Sequence, residues 1–202
     1  MGGRVYLEHI ERVLDDFFQV LRATFSFERL DGTPSGTLER LVFERGDSVA
    51  VLLYDAAAQQ VVLVQQLRLP VHLREGEGSG WLLELVAGML DGGRTPEEVA
   101  RSEALEEAGY RLETLEPLGA CYLSPGACTE RIHLYLAPIS AAQRVAAGGG
   151  LAGTGEDIRV CALPLAEALA MVADGRIRDA KTIIALHHLA LRAGLAAQGG
   201  VR

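Results

Sequence analysis

Residues 88–110 read GMLDGGRTPEEVARSEALEEAGY and place three carboxylates, Glu103, Glu106 and Glu107, on one short stretch directly behind a glycine-containing turn. Thr95, Pro96 and Glu98 fit an N-cap, a proline at the first helical position and a capping-box partner, while Gly109 fits a left-handed C-cap, so the pattern predicts a helix over 96–108. Side chains three and four apart on a helix are neighbours. The three glutamates therefore gather on adjoining parts of one surface, where like charges cost about a few tenths of a kcal/mol per pair. A cation is expected against that surface. Hard oxygen ligands suit Mg²⁺ or Mn²⁺, ions that keep several waters and are held by a few carboxylates together with substrate phosphates. A Glu-rich helix is more often a solvated acidic face, and it is the paired caps and the glycine turn that favour the metal reading here.

Working outward, residues 81–86 read as a buried strand running into Ala87-Gly88, and Gly92-Gly93 permit a tight loop, so strand, loop and carboxylate helix form one unit. Residues 17–29 and 38–44 read as two strands joined through an Asp31-Gly32 turn, a hairpin that opens the protein. A second strand pair, 48–54 and 61–68, flanks DAAAQQ, and 71–80 reads as a polar loop. Further strands are expected at 111–122, 131–137 and 157–163, with an Ala- and Gly-rich mobile loop over 141–155. Helical spacing returns at 165–173 and 180–193, each ended by a glycine. Strands and helices in this order imply an α+β fold.

At 202 residues and 49% hydrophobic content the chain can bury one substantial core with a small N-terminal appendage. A net charge of −8 without a Lys/Arg-rich stripe makes nucleic acid and anionic membrane poor partners. No apolar run reaches the length of a membrane span, and MGGRVYLEHIERV is too charged for a secretory segment, so the expected compartment is the cytoplasm. Cys121, Cys128 and Cys161 lack metal-ligand spacing and read as reduced, core-filling residues. His133, His187 and His188 read as structural or surface residues, and Trp81 as core or interface.

The stretch 88–110 resembles the Nudix box: Gly, five residues, Glu, seven residues, then Arg-Glu-aliphatic-any-Glu-Glu-any-Gly-aliphatic. Gly88, Glu103, Ala104, Glu106, Glu107 and Gly109 match in register, with Tyr110 at the last position. Two positions depart: Arg94 stands where the pattern has its first Glu, and Ser102 where it has Arg. In the family that Arg orients the neighbouring glutamates and the first Glu supports the metal network, so the departures bear on rate and metal affinity more than on fold. FERGDSVAVLLY at 43–54, QQLRLP at 65–70, ELVAG at 84–88, YLSPGACTERIHLYLA at 122–137, GEDIRV at 155–160 and GRIRDAKT at 175–182 extend the resemblance over nearly the whole chain. They are similar to the nucleoside-diphosphate-sugar branch, which contains ADP-ribose pyrophosphatases and GDP-mannose hydrolases, and the SPG-to-TERIH and GRIRDAKT segments are most similar to the GDP-mannose members.

That resemblance implies a Nudix α/β/α sandwich with a mixed sheet, plus a small N-terminal antiparallel sheet. It implies that residues 1–46 form a dimerisation and pocket-completing subdomain and 47–202 the catalytic domain, in a homodimer of C₂ symmetry. By matching position, Glu103 and Glu107 are implied as direct metal ligands, Glu106 as a ligand directly or through water, the Ala87 carbonyl as a further ligand, and Glu156 as a distal metal-binding or catalytic residue. Thr154 stands where ADP-ribose members commonly have a Glu, and its hydroxyl cannot act as a general base near neutral pH. Glu156 is the first candidate to replace it and Glu130 the second. Arg68 and then Arg45 are the candidate phosphate clamps, each with the alternative of a surface arginine paired to a carboxylate. Glu84 is open between a contact to the base or ribose and a sheet ion pair. Lys181 is implied at the sugar or phosphate end, and Asp179 as the N-cap of the last helix.

The expected activity is Mg²⁺-dependent hydrolysis of a small-molecule nucleotide sugar of the GDP-mannose type to a nucleoside monophosphate and a sugar 1-phosphate, with Mn²⁺ a substitute ion. The alternatives are the same chemistry on ADP-ribose, giving AMP and ribose 5-phosphate, and a nucleotide-binding module with impaired turnover.

Overall fold

Strands β4 (Ser48–Asp55) and β5 (Gln60–Leu67) carry continuous apolar runs, and every residue from Val49 to Leu53 and from Val61 to Val64 is buried in the computed structural model, which describes residues 3–151, 153 and 155–194. Such runs belong to strands covered on both faces. They form the centre of a mixed seven-stranded sheet in the order β10-β5-β4-β9-β8, where β8 is Glu116–Tyr122, β9 Arg131–Pro138 and β10 Arg159–Pro164. Strand β4 runs parallel to β9, from Ser48 opposite Ile132 to Tyr54 opposite Pro138, and antiparallel to β5.

Two short strands complete this sheet. β6 (Trp81–Glu84) pairs with β5 and β7 (Val86–Met89) with β4, so the chain changes partner at Leu85. The single strand expected over 81–86 is thus two. The switch leaves Glu84 beside β5 and sets Ala87 and Gly88 opposite Ala50 and Val49.

Helix α2 (Pro96–Ala108) forms where the caps predict it. Thr95 accepts from the Glu98 N–H at 3.3 Å, Glu98 accepts from the Thr95 N–H at 2.8 Å, and Gly109 takes a left-handed conformation with φ 77°. Val99, Ala100, Ala104 and Ala108 pack on Val49, Val51, Val62, Val64 and Val86; the three alanines lack the bulk that would lift the helix off the sheet. The opposite face, carrying the fully buried Ala50, Leu52, Val61 and Leu63, lies on the side of α3 (Leu165–Ala173) and α4 (Ala180–Arg192).

The chain divides into two compact units, Ser48–Cys121 with Ile132–Arg202, and Met1–Asp47 with Tyr122–Arg131. The second of these holds a three-stranded antiparallel sheet, β1 (Val5–Asp15), β2 (Gln19–Phe27) and β3 (Leu38–Glu44) in that order. The expected opening hairpin of β2 and β3 is therefore extended by an unexpected edge strand. Its register slips between Leu7 and His9 and between Arg12 and Leu14, and these bulges break the period of two by which a strand is recognised. The segment 122–131 joins the same unit through Phe43, whose N–H donates to the Ala127 carbonyl at 2.7 Å and whose carbonyl accepts from Thr129 at 3.1 Å.

Three further expectations are corrected. Leu69–Glu75, which runs into the loop expected over 71–80, is a short helix α1 with Pro70 in its first turn. The strand expected from 111 begins at Glu116. The loop over 141–155 opens with a 3-10 turn, Ala141–Gln143, and is tied to the end of α2: Val145 and Ala146 donate to the Gly109 carbonyl, and Gly149 and Gly150 to the carbonyls of Glu107 and Glu106. Those bonds satisfy carbonyls that a helix end leaves unpaired. Among the described residues no helix is long and apolar enough to cross a membrane.

Candidate active site

Helix α2 presents Glu103 and Glu107 toward the strand that carries Ala87 and Gly88. A Cβ at Gly88 would collide with the Glu103 carboxylate, so only glycine admits that side chain here. Glu107, 6% exposed, accepts from the Ala87 N–H at 3.1 Å. Neither glutamate has an ion-pair partner among the described residues. Burial, with repulsion from Glu106 and Glu156, pushes the Glu103 carboxyl up to about 7 against the pull of Arg94. Burial also pushes Glu107 up to about 8, with Glu103 and Glu156 adding to it and the Ala87 N–H and Arg68 opposing.

Glu156 comes to the same place from the glycine-rich loop. Its Oε2 accepts from the Leu151 N–H at 3.1 Å and lies over Gly150, where a Cβ would crowd it. Gly148 is required for the same docking, because a Cβ there would strike the backbone of Glu107 and Ala108. Glu106 is held differently: Ser102, one turn earlier, donates to its Oε1 at 2.7 Å. Arg94 spends its Nε and Nη2 on Asp91 Oδ1, at 2.9 and 2.7 Å.

A second group of charges lies between β5, β6 and α4. Glu84 is 1% exposed and accepts from Arg68 Nε and Nη2, each at 2.8 Å, and from Lys181 Nζ at 2.5 Å. Asp179 caps α4 by accepting from the Thr182 N–H at 3.0 Å, and its other oxygen accepts from Lys181 at 2.8 Å. Burial alone would raise the Glu84 carboxyl, but Arg68 and Lys181 outweigh it and hold the group below its ordinary range.

Of the other candidates, Glu130 and Arg45 lie together in the N-terminal unit, 3.6 Å apart, with the Arg45 guanidinium 5.8 Å from the Phe18 ring centroid. Thr154 lies outside the described residues. Cys121, Cys128 and Cys161 are free thiols, each half-buried.

No three described side chains converge into a ready-made coordination sphere. The donor chemistry nonetheless fits a divalent cation. Glu156 repels the charged forms of both Glu103 and Glu107, Glu103 repels that of Glu107, and a divalent ion at these carboxylates relieves the repulsion that burial makes costly.

Residues 44–186 match the family model of the NUDIX domain. The chain belongs to the Nudix family. It is 42% identical over 180 residues to the GDP-mannose pyrophosphatase of Pectobacterium atrosepticum, covering 88% of this chain and 90% of that one. It is 42% identical over 183 residues to the GDP-mannose pyrophosphatase of Cronobacter sakazakii, covering 90% and 93% of the two chains. Against the Escherichia coli O1:K1 protein of the same name the identity is 41% over 175 residues, covering 87% and 89%. The crystal structure of an ADP compounds hydrolase superposes with a TM-score of 0.68 at 20% identity, over 98% of this chain and 97% of that one, which shows the Nudix fold. Nudix hydrolases generally use divalent metal ions.

The irregular positions of this Nudix box now have partners. Ser102, in place of the box arginine, bonds Glu106, and Arg94, in place of the first glutamate, bonds Asp91. The first contact follows helical i,i+4 spacing and was readable; the Thr182–Leu85 contact, in which the hydroxyl accepts from a backbone N–H 97 residues away at 2.9 Å, had no local signal.

Proposed function

We propose that this Nudix hydrolase cleaves the diphosphate linkage of a nucleoside diphosphate sugar of the GDP-mannose type, adding water to give a nucleoside monophosphate and a sugar 1-phosphate. The observation that carries this reading is the pair of the half-buried Glu103 and the buried Glu107, set beside Ala87-Gly88 with no ion-pair partner among the described residues. The substrate class follows from relatives at 41–42% identity across nearly the whole chain, each named GDP-mannose pyrophosphatase.

We assign Mg²⁺, with Mn²⁺ as its substitute, to Glu103, Glu106, Glu107, Glu156 and the Ala87 carbonyl. Bound there, the ion neutralises charge on the phosphate oxygens. The protein's own part is to hold the diphosphate and to take a proton from the attacking water. Glu156 is the first candidate base, since its loop already brings it to the carboxylate helix; Glu130 is the second. Arg68 offers a planar fork to a phosphate oxygen, Arg45 a second, and Lys181 a cation toward the sugar end.

The N-terminal sheet favours a C₂ homodimer. Val5, Tyr6, Leu7, Ile10, Val13 and Leu14 of β1 are between 39% and 68% exposed, an apolar edge strand that a second copy would cover. Residues 1–46 are assigned this role and 47–202 catalysis, in a cytoplasmic enzyme with neither membrane nor nucleic acid as partner.

The test is phosphate-coupled hydrolysis of GDP-mannose, ADP-ribose, ADP-glucose and UDP-glucose with Mg²⁺, with Mn²⁺ and with EDTA, using Glu107→Gln as control. Metal-dependent turnover highest on GDP-mannose and lost in Glu107→Gln is expected. Highest turnover on ADP-ribose would move the enzyme to the other branch, and nucleotide binding without turnover would make it a binding module.

A further inference from the structure

Both oxygens of Glu84 are already engaged by the protein. Its Oε1 accepts from Arg68 Nε, its Oε2 from Arg68 Nη2 and Lys181 Nζ, and the residue is only 1% exposed. The surrounding bonds form a closed ring. Lys181 donates to Asp179 Oδ1 at 2.8 Å, Asp179 Oδ2 accepts from the Thr182 hydroxyl at 2.6 Å, and Thr182 Oγ1 accepts from the N–H of Leu85, the next residue after Glu84. Such a ring fixes the carboxylate at the end of β6 from both the strand and the helix side.

A guanidinium carries five N–H groups in a rigid fork. Glu84 engages the Nε and Nη2 side, which leaves Nη1 and the outer hydrogen of Nη2 directed away from the carboxylate. The Arg68 side chain is 40% exposed although its partner is buried, so this outer edge is the part that solvent reaches. Arg68 also lies within electrostatic reach of Glu107, on the carboxylate helix.

We propose that Glu84 is a positioning residue: it clamps Arg68 bidentately so that the outer edge of the guanidinium is presented, already oriented, to a phosphate oxygen of the diphosphate, while Glu84 itself touches no substrate. The proposal rests on the hydrolase reading given above. A long arginine without such a clamp loses rotamer freedom on binding, whereas one already held in place loses little.

The experiment is steady-state kinetics on GDP-mannose with Mg²⁺ for wild type, Glu84→Gln, Arg68→Ala and the double variant, each checked for fold by thermal melting. Glu84→Gln should raise KM by about tenfold with a smaller change in kcat. The double variant should be no worse than Arg68→Ala alone, because without the arginine there is nothing for Glu84 to position. Multiplicative losses in the double variant, or an unchanged KM in Glu84→Gln, would overturn the proposal while leaving the hydrolase reading intact. Should Glu84→Gln melt below the assay temperature, Glu84→Asp, which keeps the charge but withdraws it by one methylene, reads the same coupling. A folded wild type inactive on every diphosphate sugar tested would remove the hydrolase reading, and this proposal with it.

Discussion

Two glutamates of the larger unit are buried to nearly the same degree, Glu84 at 1% and Glu107 at 6% exposure, yet their carboxyls are driven in opposite directions. Glu84 meets Arg68 and Lys181 and stays ionised; Glu107 meets one backbone N–H and other carboxylates and is pushed up to about 8. Burial is the same cost in both places, and the difference lies in whether the protein supplies the countercharge. The first site is complete as folded. The second is left one cation short, which is what a protein gains little from unless a cation arrives from outside.

The largest test of that contrast is to remove each carboxylate. Glu107→Gln should lower metal-dependent turnover by about three orders of magnitude, the scale of several kcal/mol of lost charge stabilisation, as read by kcat/KM on GDP-mannose. The same substitution should raise the melting temperature of the metal-free protein above pH 8, since it deletes a buried charge without a partner. Glu84→Gln should do the reverse to the fold. Breaking a buried ion pair costs about 3–5 kcal/mol, discounted here because the Arg68 side chain is 40% exposed; an unfolding free energy lower by roughly 2–3 kcal/mol, read by chemical denaturation, is expected. A Glu107→Gln protein less stable than wild type in EDTA, or a Glu84→Gln protein more stable, would break the comparison.

The pH dependence separates the two sites further. Glu103 and Glu107 hold protons in the folded metal-free protein up to about 7 and about 8, whereas the unfolded chain releases them near the ordinary value of 4.5. The folded state therefore binds more protons than the unfolded state across that window, and their contribution to stability falls as pH rises from about 4.5 to about 8. The lowered Glu84 carboxyl works in the other sense, with stability present above its unfolded value and lost as acid approaches its folded one. Thermal melts in EDTA from pH 5 to about pH 8.5 should show wild type declining and Glu107→Gln declining less. A parallel decline in both would contradict the assignment.

The smallest effects belong to the residues that aim the glutamates. Ser102→Ala removes one hydrogen bond to Glu106 and should cost about 1 kcal/mol of transition-state stabilisation, under tenfold in kcat/KM. Thr95→Ala removes the helix cap and should lower stability by about 1 kcal/mol with little change in kcat.

The carboxylate helix was legible because its information is local: Thr95, Pro96, Glu98 and Gly109 mark both ends within the span of the element itself. The long apolar strands β4 and β5 were legible for the same reason. Edge strand β1 was not, because two register slips break its alternation, and α1 was hidden by its seven-residue length and by Arg68 standing at its N-cap without a side-chain cap. Within the site, the sequence named Glu84, Arg68, Lys181 and Asp179 separately but held no sign that they form one network. Glu84 and Lys181 are 97 residues apart, and only the partner switch at Leu85 brings β6 to the start of α4. Likewise, nothing in the run 141–155 foretold that Gly149 and Gly150 cap α2 and carry Glu156 to it.

The most direct measurement is calorimetric titration of the metal-free protein with Mn²⁺ near pH 6.5, in two buffers of different ionisation enthalpy, for wild type and Glu107→Gln. If Glu103 and Glu107 wait protonated for a cation, binding releases protons, so the observed heat depends on the buffer, and both binding and release weaken sharply in the variant. Binding that releases no protons, or equal affinity in Glu107→Gln, would contradict the account.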